Sequence, residues 1–264
     1  MKSLLFTIIA LFFGLSAANK IKGFDMSDPC TTFDCFKNNG YTFTIPRAYQ
    51  SKEGNWWPVI NNLKNAQAAG MEFVDVYFFP CREWDVKSQV NTMIQYLAQG
   101  RSTVNDPKPN IQPFTANHDF LEWRKSNVQN KQDNYGMVWI DVELDEWHQG
   151  CDWKKFSPEE NCQYIREAIQ AVKDSGRTPG LYTSPWEWQQ VMGTQTYCQD
   201  VSYLPLWYSN YDGEDDYSDW SQIGGWSQPA IKQYNQNQAG ICGLNIDPNV
   251  IVRNSQHQTS EFLA

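Results

Sequence analysis

The chain has 264 residues, a formal net charge of −9 and an aromatic complement of twelve Trp, thirteen Tyr and fourteen Phe. That acidity excludes partners whose phosphates would be repelled, so neither nucleic acid nor an anionic membrane surface is expected. Flat rings in such number instead suit the apolar faces of sugars, beyond those that simply fill a core.

Met1 and Lys2, an apolar run from Leu4 to Leu15 and the small residues Ser16, Ala17 and Ala18 have the order of a signal peptide. Residues 1–18 are therefore expected to be removed, leaving 19–264 as one exported domain, because the run falls short of the ~20 residues that span a bilayer. No linker, repeat or low-complexity block divides the rest.

Lys20 to Asp25 reads as a short strand, Cys30 to Asn39 as a short helix closed by Gly40, and Tyr41 to Tyr49 as a second strand. Pro58 opens a helix whose Val59, Ile60, Leu63, Ala66 and Ala69 share a face before Gly70. Met71 to Phe79 is nearly continuously apolar, as in a parallel strand buried on both sides, and Val86, Val90, Met93, Ile94 and Leu97 keep helical spacing up to Gly100. From Arg101 to Asn134 the pattern dissolves into polar residues, with one helical candidate at Phe120 to Lys125; this stretch reads as a surface insertion. Gly136 to Val142 is the next strand. Ser157, Pro158, Glu159 and Glu160 form a capping box for a helix running to Gly176. Pro179 to Thr183 is a fifth strand, with a short helix after Pro185. Leu204 to Ser209, Ala230 to Tyr234 and Leu244 to Asp247 then follow without intervening helices. Five strand–helix units and three further strands make eight, a number that closes into a TIM-like α/β barrel, (β/α)5β3, in a single domain. A doubly wound open sheet is the alternative, but the Gly-rich phosphate loop after its first strand is absent.

Seven cysteines (Cys30, Cys35, Cys81, Cys151, Cys162, Cys198 and Cys242) in an exported chain favour disulfides, with the pairing open and at least one thiol left over. His118, His148 and His257 are not spaced as a ligand pair, so no metal or other cofactor is expected.

The sharpest local signal is Trp139-Ile140-Asp141-Val142-Glu143-Leu144-Asp145-Glu146, where strand residues run directly into acids. Residues two apart share a strand face, which puts Asp141 and Glu143 on the same side with ~6.6 Å of rise between them. Both lie at the carboxyl end of a parallel strand, where barrel active sites sit. Paired carboxylates raise the pKa of one member, and Glu143, nearer the mouth, is the expected general acid. Asp145 and Glu146 read as solvated loop residues. Gly23-Phe24-Asp25 and Asn245-Ile246-Asp247 also end strands in Asp, and in a closed barrel the first and last strands are neighbours. Taken singly, either Asp also fits a cap or a turn.

With these residues in place the sequence resembles glycoside hydrolase family 25, the Chalaropsis-type lysozymes, and especially its protist and invertebrate members. The likeness runs from about Lys22 to Ile251 through Gly23-Phe24-Asp25, Ala69-Gly70-Met71-Glu72-Phe73-Val74-Asp75-Val76-Tyr77-Phe78-Phe79-Pro80, Ile140-Asp141-Val142-Glu143, Gly180-Leu181-Tyr182-Thr183, Pro205-Leu206-Trp207-Tyr208 and Ile231-Lys232-Gln233-Tyr234. The resemblance implies the same (β/α)5β3 barrel and hydrolysis of the β-1,4 bond between N-acetylmuramic acid and N-acetylglucosamine in bacterial peptidoglycan. It places the acid/base on Glu143, its partner on Asp141 and the two remaining active-site acids on Asp25 and Asp247. Tyr77, Tyr182, Trp207 and Tyr211 correspond to the aromatic lining of the sugar groove, with Arg47 and Asp75 adding polar contacts. It further implies a substrate-assisted course, in which the sugar's own acetamido oxygen attacks while Asp141 polarises it; strand rise alone leaves the stereochemistry open.

Two departures stand out: the last acidic motif reads Asn245-Ile246-Asp247-Pro248-Asn249 where Val-Asp-Leu-Asn is usual, and the insertion from Arg101 to Asn134 is long enough to reshape one wall of the groove. Competing readings are a glycosidase acting on another N-acetylhexosamine polymer such as chitin, and a carbohydrate-binding barrel without turnover. A monomer is expected, secreted or in the lumen of an acidic endolysosomal or phagosomal compartment. The net charge suggests an optimum at about pH 4–6, where repulsion of an anionic wall polymer weakens.

Overall fold

The computed structural model describes residues 19–99, 101, 106–128 and 134–253; the expected signal peptide lies outside them. Eleven strands occur among the described residues: β1 (Asn19–Met26), β2 (Tyr41–Gln50), β3 (Gly54–Asn55), β4 (Phe73–Val74), β5 (Val76–Phe79), β6 (Met137–Asp141), β7 (Thr178–Thr183), β8 (Leu206–Ser209), β9 (Ile231–Gln233), β10 (Gln238–Ile241) and β11 (Leu244–Arg253). The helices are α1 (Phe33–Asn38), α2 (Val59–Ala68), α3 (Val86–Leu97), α4 (Phe120–Asn127), α5 (Pro158–Asp174) and α6 (Pro185–Met192). Strands pair in the order β1-β11-β9-β8-β7-β6-β5-β2, and β1 pairs with β2 to close an eight-stranded barrel. The expected Met71 to Phe79 strand is broken at Asp75 into β4 and β5.

Alternation along each strand sorts the core into two layers. Met137 and Trp139 of β6 point inward with Phe43, Ile45, Tyr77, Tyr182, Trp207, Ile231 and Ile251. Val138, Ile140 and Val142 point outward against Val90, Met93, Ile165, Ala168, Ile169 and Val172 of α3 and α5. Because the period is two, Asp141 and Glu143 continue the inward row of Met137 and Trp139 to the mouth, defined here as the carboxyl end of the parallel strands. At Gly180 a Cβ would come within 2.4 Å of the Trp139 ring, so the wide indole is accommodated only by a residue without a side chain on the adjacent strand. The α5 capping box forms as its sequence predicts, with Ser157 and Glu160 each bonding the other's backbone.

The last barrel strand departs from an all-parallel barrel: β11 runs antiparallel to both neighbours, β9 and β1. It extends from Leu244 to Arg253, well past the expected end at Asp247. Its reversed direction is what brings Asp247, near its start, to the mouth opposite Asp25.

The described part of the stretch from Arg101 to Asn134, residues 106–128, is not a surface insertion along the groove. Its Phe114, Phe120, Leu121 and Trp123 are buried and pack with Phe43, Phe73, Met137 and Ile251 inside the barrel, closing the end opposite the mouth. Apolar residues scattered too irregularly for a periodic pattern form a plug because each fills a separate gap in the barrel floor. Asp119 caps α4 by accepting from the Leu121 and Glu122 amides, and its other oxygen holds Arg253 Nε at 2.9 Å.

The plug also carries Arg124, whose Nη2 lies 2.8 Å from Asp75 Oδ1, with the carboxylate side chain fully buried. The Met137 amide and Trp139 Nε1 donate to the same carboxylate at 2.8 and 3.1 Å. Asp75 therefore sits at the barrel floor and not in the sugar groove, which corrects the role implied by resemblance. Alternation along this segment places its side chain inward with those of Phe73 and Tyr77, below Trp139. Arg124→Met should destabilise the protein by ~3–5 kcal/mol by leaving a buried carboxylate without its cation. Adding Asp75→Asn should recover much of that loss in urea unfolding; a single-variant loss below ~1 kcal/mol would class the pair with ordinary surface ion pairs.

Three disulfides join Cys35 to Cys242, Cys81 to Cys151 and Cys162 to Cys198, leaving Cys30 as a buried free thiol. Cys81–Cys151 links the loops that follow β5 and β6, and so fixes the segment just beyond Glu143.

Candidate active site

Asp25, Arg47, Tyr77, Asp141, Glu143, Tyr182, Trp207, Tyr211 and Asp247 line one cavity of roughly 190 Å³ at the mouth, together with Gln233 and Gln236. Thus all four acids expected from the sequence converge, as do Arg47 and the four aromatics; of the expected site residues only Asp75 lies elsewhere. The polar network is nearly closed. Gln233 Nε2 and Asn249 Nδ2 each donate to Asp25 Oδ1 at 2.7 Å. Tyr182 Oη and Tyr211 Oη donate to Gln233 Oε1 at 2.7 and 3.0 Å. Trp207 Nε1 donates to Asn249 Oδ1 at 2.7 Å, and Arg47 Nε donates to Tyr77 Oη at 2.6 Å. Asp247 Oδ1 accepts from the Asn237 amide at 2.6 Å. By contrast, Asp141 Oδ1 is buried with no hydrogen-bond partner among the described residues.

Crowding and burial set the protonation pattern. Burial pushes the Glu143 carboxyl up to about 8, helped by the negative charge of Glu187 and opposed by Arg47. Burial and then the Glu143 charge hold Asp141 well above the ordinary carboxylate range, and burial and then Asp247 do the same for Asp25. Asp247 is raised by burial, while the Asn237 amide and Arg47 favour its charged form. Arg47 is the cation that opposes these shifts in each of the four acids. A partly exposed Glu143 that keeps its proton at neutral pH can serve as an acid, which is what its environment equips it to do.

A second cavity of roughly 350 Å³ adjoins the first and shares Glu143 and Tyr211 with it. Its other walls are Ser184, Pro185, Trp186, Glu187, Ser209 and Asn210, and the Trp186 ring is 56% exposed. Trp186, Glu187, Gln233 and Asn249 are not among the site residues expected from the sequence. For the first two a signal existed: Ser184-Pro185 starts a helix directly after a barrel strand, which puts the next residues at the mouth. Gln233 and Asn249 act through hydrogen bonds between strands remote in sequence, and no local pattern marks them.

Asp145 also departs from expectation. Glu146 is exposed, but Asp145 is buried and accepts from the Trp147 and His148 amides at 3.2 and 3.0 Å and from Ser51 Oγ. It belongs to the framework of the loop after β6, where its carboxylate satisfies the two turn amides. His148 lies between Asp145 and Glu53; burial disfavours its charged form, but hydrogen bonds to both carboxylates outweigh that and raise its pKa.

A closed eight-stranded barrel with its last helices missing and acids gathered at one mouth defines a barrel glycoside hydrolase. Comparison with known proteins narrows the class. A family model described as "Lysozyme-like protein 1" matches residues 17–107 and 107–234. "Probable GH family 25 lysozyme 2" of Dictyostelium discoideum is 34% identical over 245 residues, covering 92% of this chain and 96% of that protein. "Lysozyme-like protein 5" of Caenorhabditis elegans is 30% identical, covering 95% of this chain and all of that protein. Among solved structures, a muramidase from Trichobolus zukalii superposes with a TM-score of 0.61 at 18% identity, over 89% of this chain and 94% of its own. A family GH25 lysozyme from Aspergillus fumigatus does so with a TM-score of 0.58 at 15% identity, over 90% and 96%. The chain belongs to the lysozymes of glycoside hydrolase family 25.

Proposed function

We propose that this glycoside hydrolase is an N-acetylmuramidase that cuts the β-1,4 bond after N-acetylmuramic acid in bacterial peptidoglycan. The observation that carries the reading is the position of Glu143, held protonated between two adjoining cavities, with a buried, unpartnered Asp141 oxygen in one of them. The sugar whose anomeric carbon reacts occupies the cavity of Asp25, Asp141 and Asp247, and the leaving sugar lies on the Trp186 side. Glu143 gives its proton to the glycosidic oxygen as the bond to the anomeric carbon breaks. The substrate's acetamido oxygen forms the new bond to that carbon, and the acetamido N–H, now carrying positive charge, donates to Asp141. Water then attacks, losing its proton to Glu143, and the acetamide is restored. A buried polar atom left without a partner calls for such an explanation, and the acetamido N–H is the donor that Asp141 Oδ1 lacks.

Incubating the mature protein with purified peptidoglycan and identifying the new reducing end tests this directly. A muramic acid end is the expected result. A glucosamine end, or release from chitin oligomers alone, would assign a different N-acetylhexosamine polymer, and binding without any release would assign a lectin-like role.

Trp186→Ala should raise KM on soluble wall fragments roughly 5–10-fold, as expected when one sugar-stacking surface worth about 1 kcal/mol is removed. An unchanged KM would take Trp186 out of the groove. The three disulfides support action outside the cell or in an oxidising lumen. Burial of Glu143 supports proton donation up to about pH 8, a higher limit than net charge alone suggests.

A further inference from the structure

We propose that Glu187 is a positioning residue for Glu143, fixing its backbone through the Leu144 amide and setting its charge environment from the adjoining cavity. The inference deepens the muramidase reading and rests on Glu143 being its acid.

Glu143 is the residue between two tied neighbours. On one side the Val142 amide donates to Tyr182 O at 2.9 Å, and Val142 O accepts from Thr183 Oγ1 at 2.8 Å. On the other side the Leu144 amide donates to Glu187 Oε2 at 2.8 Å. Every one of these ties comes from β7 or from the helix that follows it, so β7 and α6 act together as a clamp on the end of β6. Glu187 is itself placed by its backbone, since its amide donates to Ser184 Oγ at 3.0 Å in the first turn of α6. A helix cap would be served by Ser184 alone. The Glu187 side chain instead leaves the helix, spans to the next loop and shares a cavity wall with Glu143.

That placement puts a second carboxylate beside the acid. Glu187 is raised to about 6, first by burial, with Glu146 adding to the rise and the Leu144 amide and Lys154 opposing it. It is therefore ionised over the range in which Glu143 loses its proton. Its negative charge is the largest electrostatic contribution raising Glu143, ahead of Asp145 and Asp247, whereas Arg47 acts in the opposite sense. Glu187 also raises Asp141, after burial, Glu143 and Arg47 in magnitude. The 3-10 turn packed against α6 contributes Lys154, while its neighbour Lys155 is engaged by Glu83 at 2.6 Å.

The sign follows. Removing the charge of Glu187 makes ionisation of Glu143 easier, lowers its pKa and moves the alkaline limb of the pH–rate profile to lower pH. Glu187→Gln keeps an oxygen to accept from the Leu144 amide but carries no charge, whereas Glu187→Ala loses both. The primary measurement is the titration of the Glu143 carboxyl by carbon NMR in protein labelled at Glu, with Glu143→Gln identifying its signal. In Glu187→Gln the midpoint should fall by ~0.5 unit or more, and the alkaline limb of kcat should fall with it. In Glu187→Ala, kcat should drop roughly tenfold or more with little change in KM, and Glu187→Gln should restore most of that loss. An unmoved Glu143 midpoint in folded Glu187→Gln overturns the proposal. Because the titration needs no substrate, a shifted midpoint in a protein inert toward peptidoglycan would sustain the positioning role while rejecting the muramidase reading.

Discussion

Glu143→Gln is expected to reduce turnover by ~10²–10⁴-fold, the usual contribution of general acid catalysis, while leaving the fold and sugar affinity close to the parent. The amide matches the carboxyl in size and can still hydrogen bond to the glycosidic oxygen, but it has no acidic proton to transfer. In the parent the acid must be protonated, so activity is lost as pH rises through the Glu143 pKa of about 8. Steady-state rates from pH 3 to 9 should show that alkaline limb, and the residual rate of the variant should lack it. A variant keeping more than about a tenth of parental turnover would take Glu143 out of the acid role. The comparison is clean because, among the described residues, the ties that hold this part of the framework fall on its neighbours Val142 and Leu144 and not on the Glu143 carboxyl.

The second large effect is expected at Asp141. Asp141→Asn should lower kcat by ~10²-fold or more, since under the proposed scheme the positive charge that develops on the acetamido group loses its partner carboxylate. Burial raises Asp141, so its ionised form is lost as pH falls and supplies the acidic limb of a bell-shaped profile. Substrate assistance and direct attack by Asp141 differ in their intermediate. A slow fluorinated substrate that leaves a stable sugar ester on Asp141, seen by mass spectrometry, would replace the first scheme by the second. Without such an adduct, strong competitive inhibition by a thiazoline analogue of the cyclised acetamide supports substrate assistance.

Much of this was legible in the sequence because strand alternation is a local rule. Asp141 and Glu143 are separated by one residue on a strand of known polarity, and their position at the mouth follows from those two facts. Asp25 could be placed likewise. For Asp247 the sequence points to the mouth for an incomplete reason, since the pattern ends a strand there, whereas the strand begins nearby and runs the other way. Pairing direction depends on how the chain returns, which local pattern does not encode. The plug escapes pattern analysis because Phe114, Phe120 and Trp123 are apolar without a period, each meeting a different part of the barrel floor. Asp75 lay in a segment that otherwise reads as strand, and its partner Arg124 is supplied from that same plug. Glu187 was reachable: a capped helix beginning right after a barrel strand can only start at the mouth.

The antiparallel pairing of β1 with β11 sets Asn19 opposite Arg253. The described polypeptide thus enters and leaves side by side, at the floor, with the groove facing away. Anything fused or tethered at either place would hang behind the enzyme. An anchored molecule would then meet a solid, insoluble polymer groove first, and rejoining the two positions by a short peptide while opening the chain elsewhere would leave the four acids where they are.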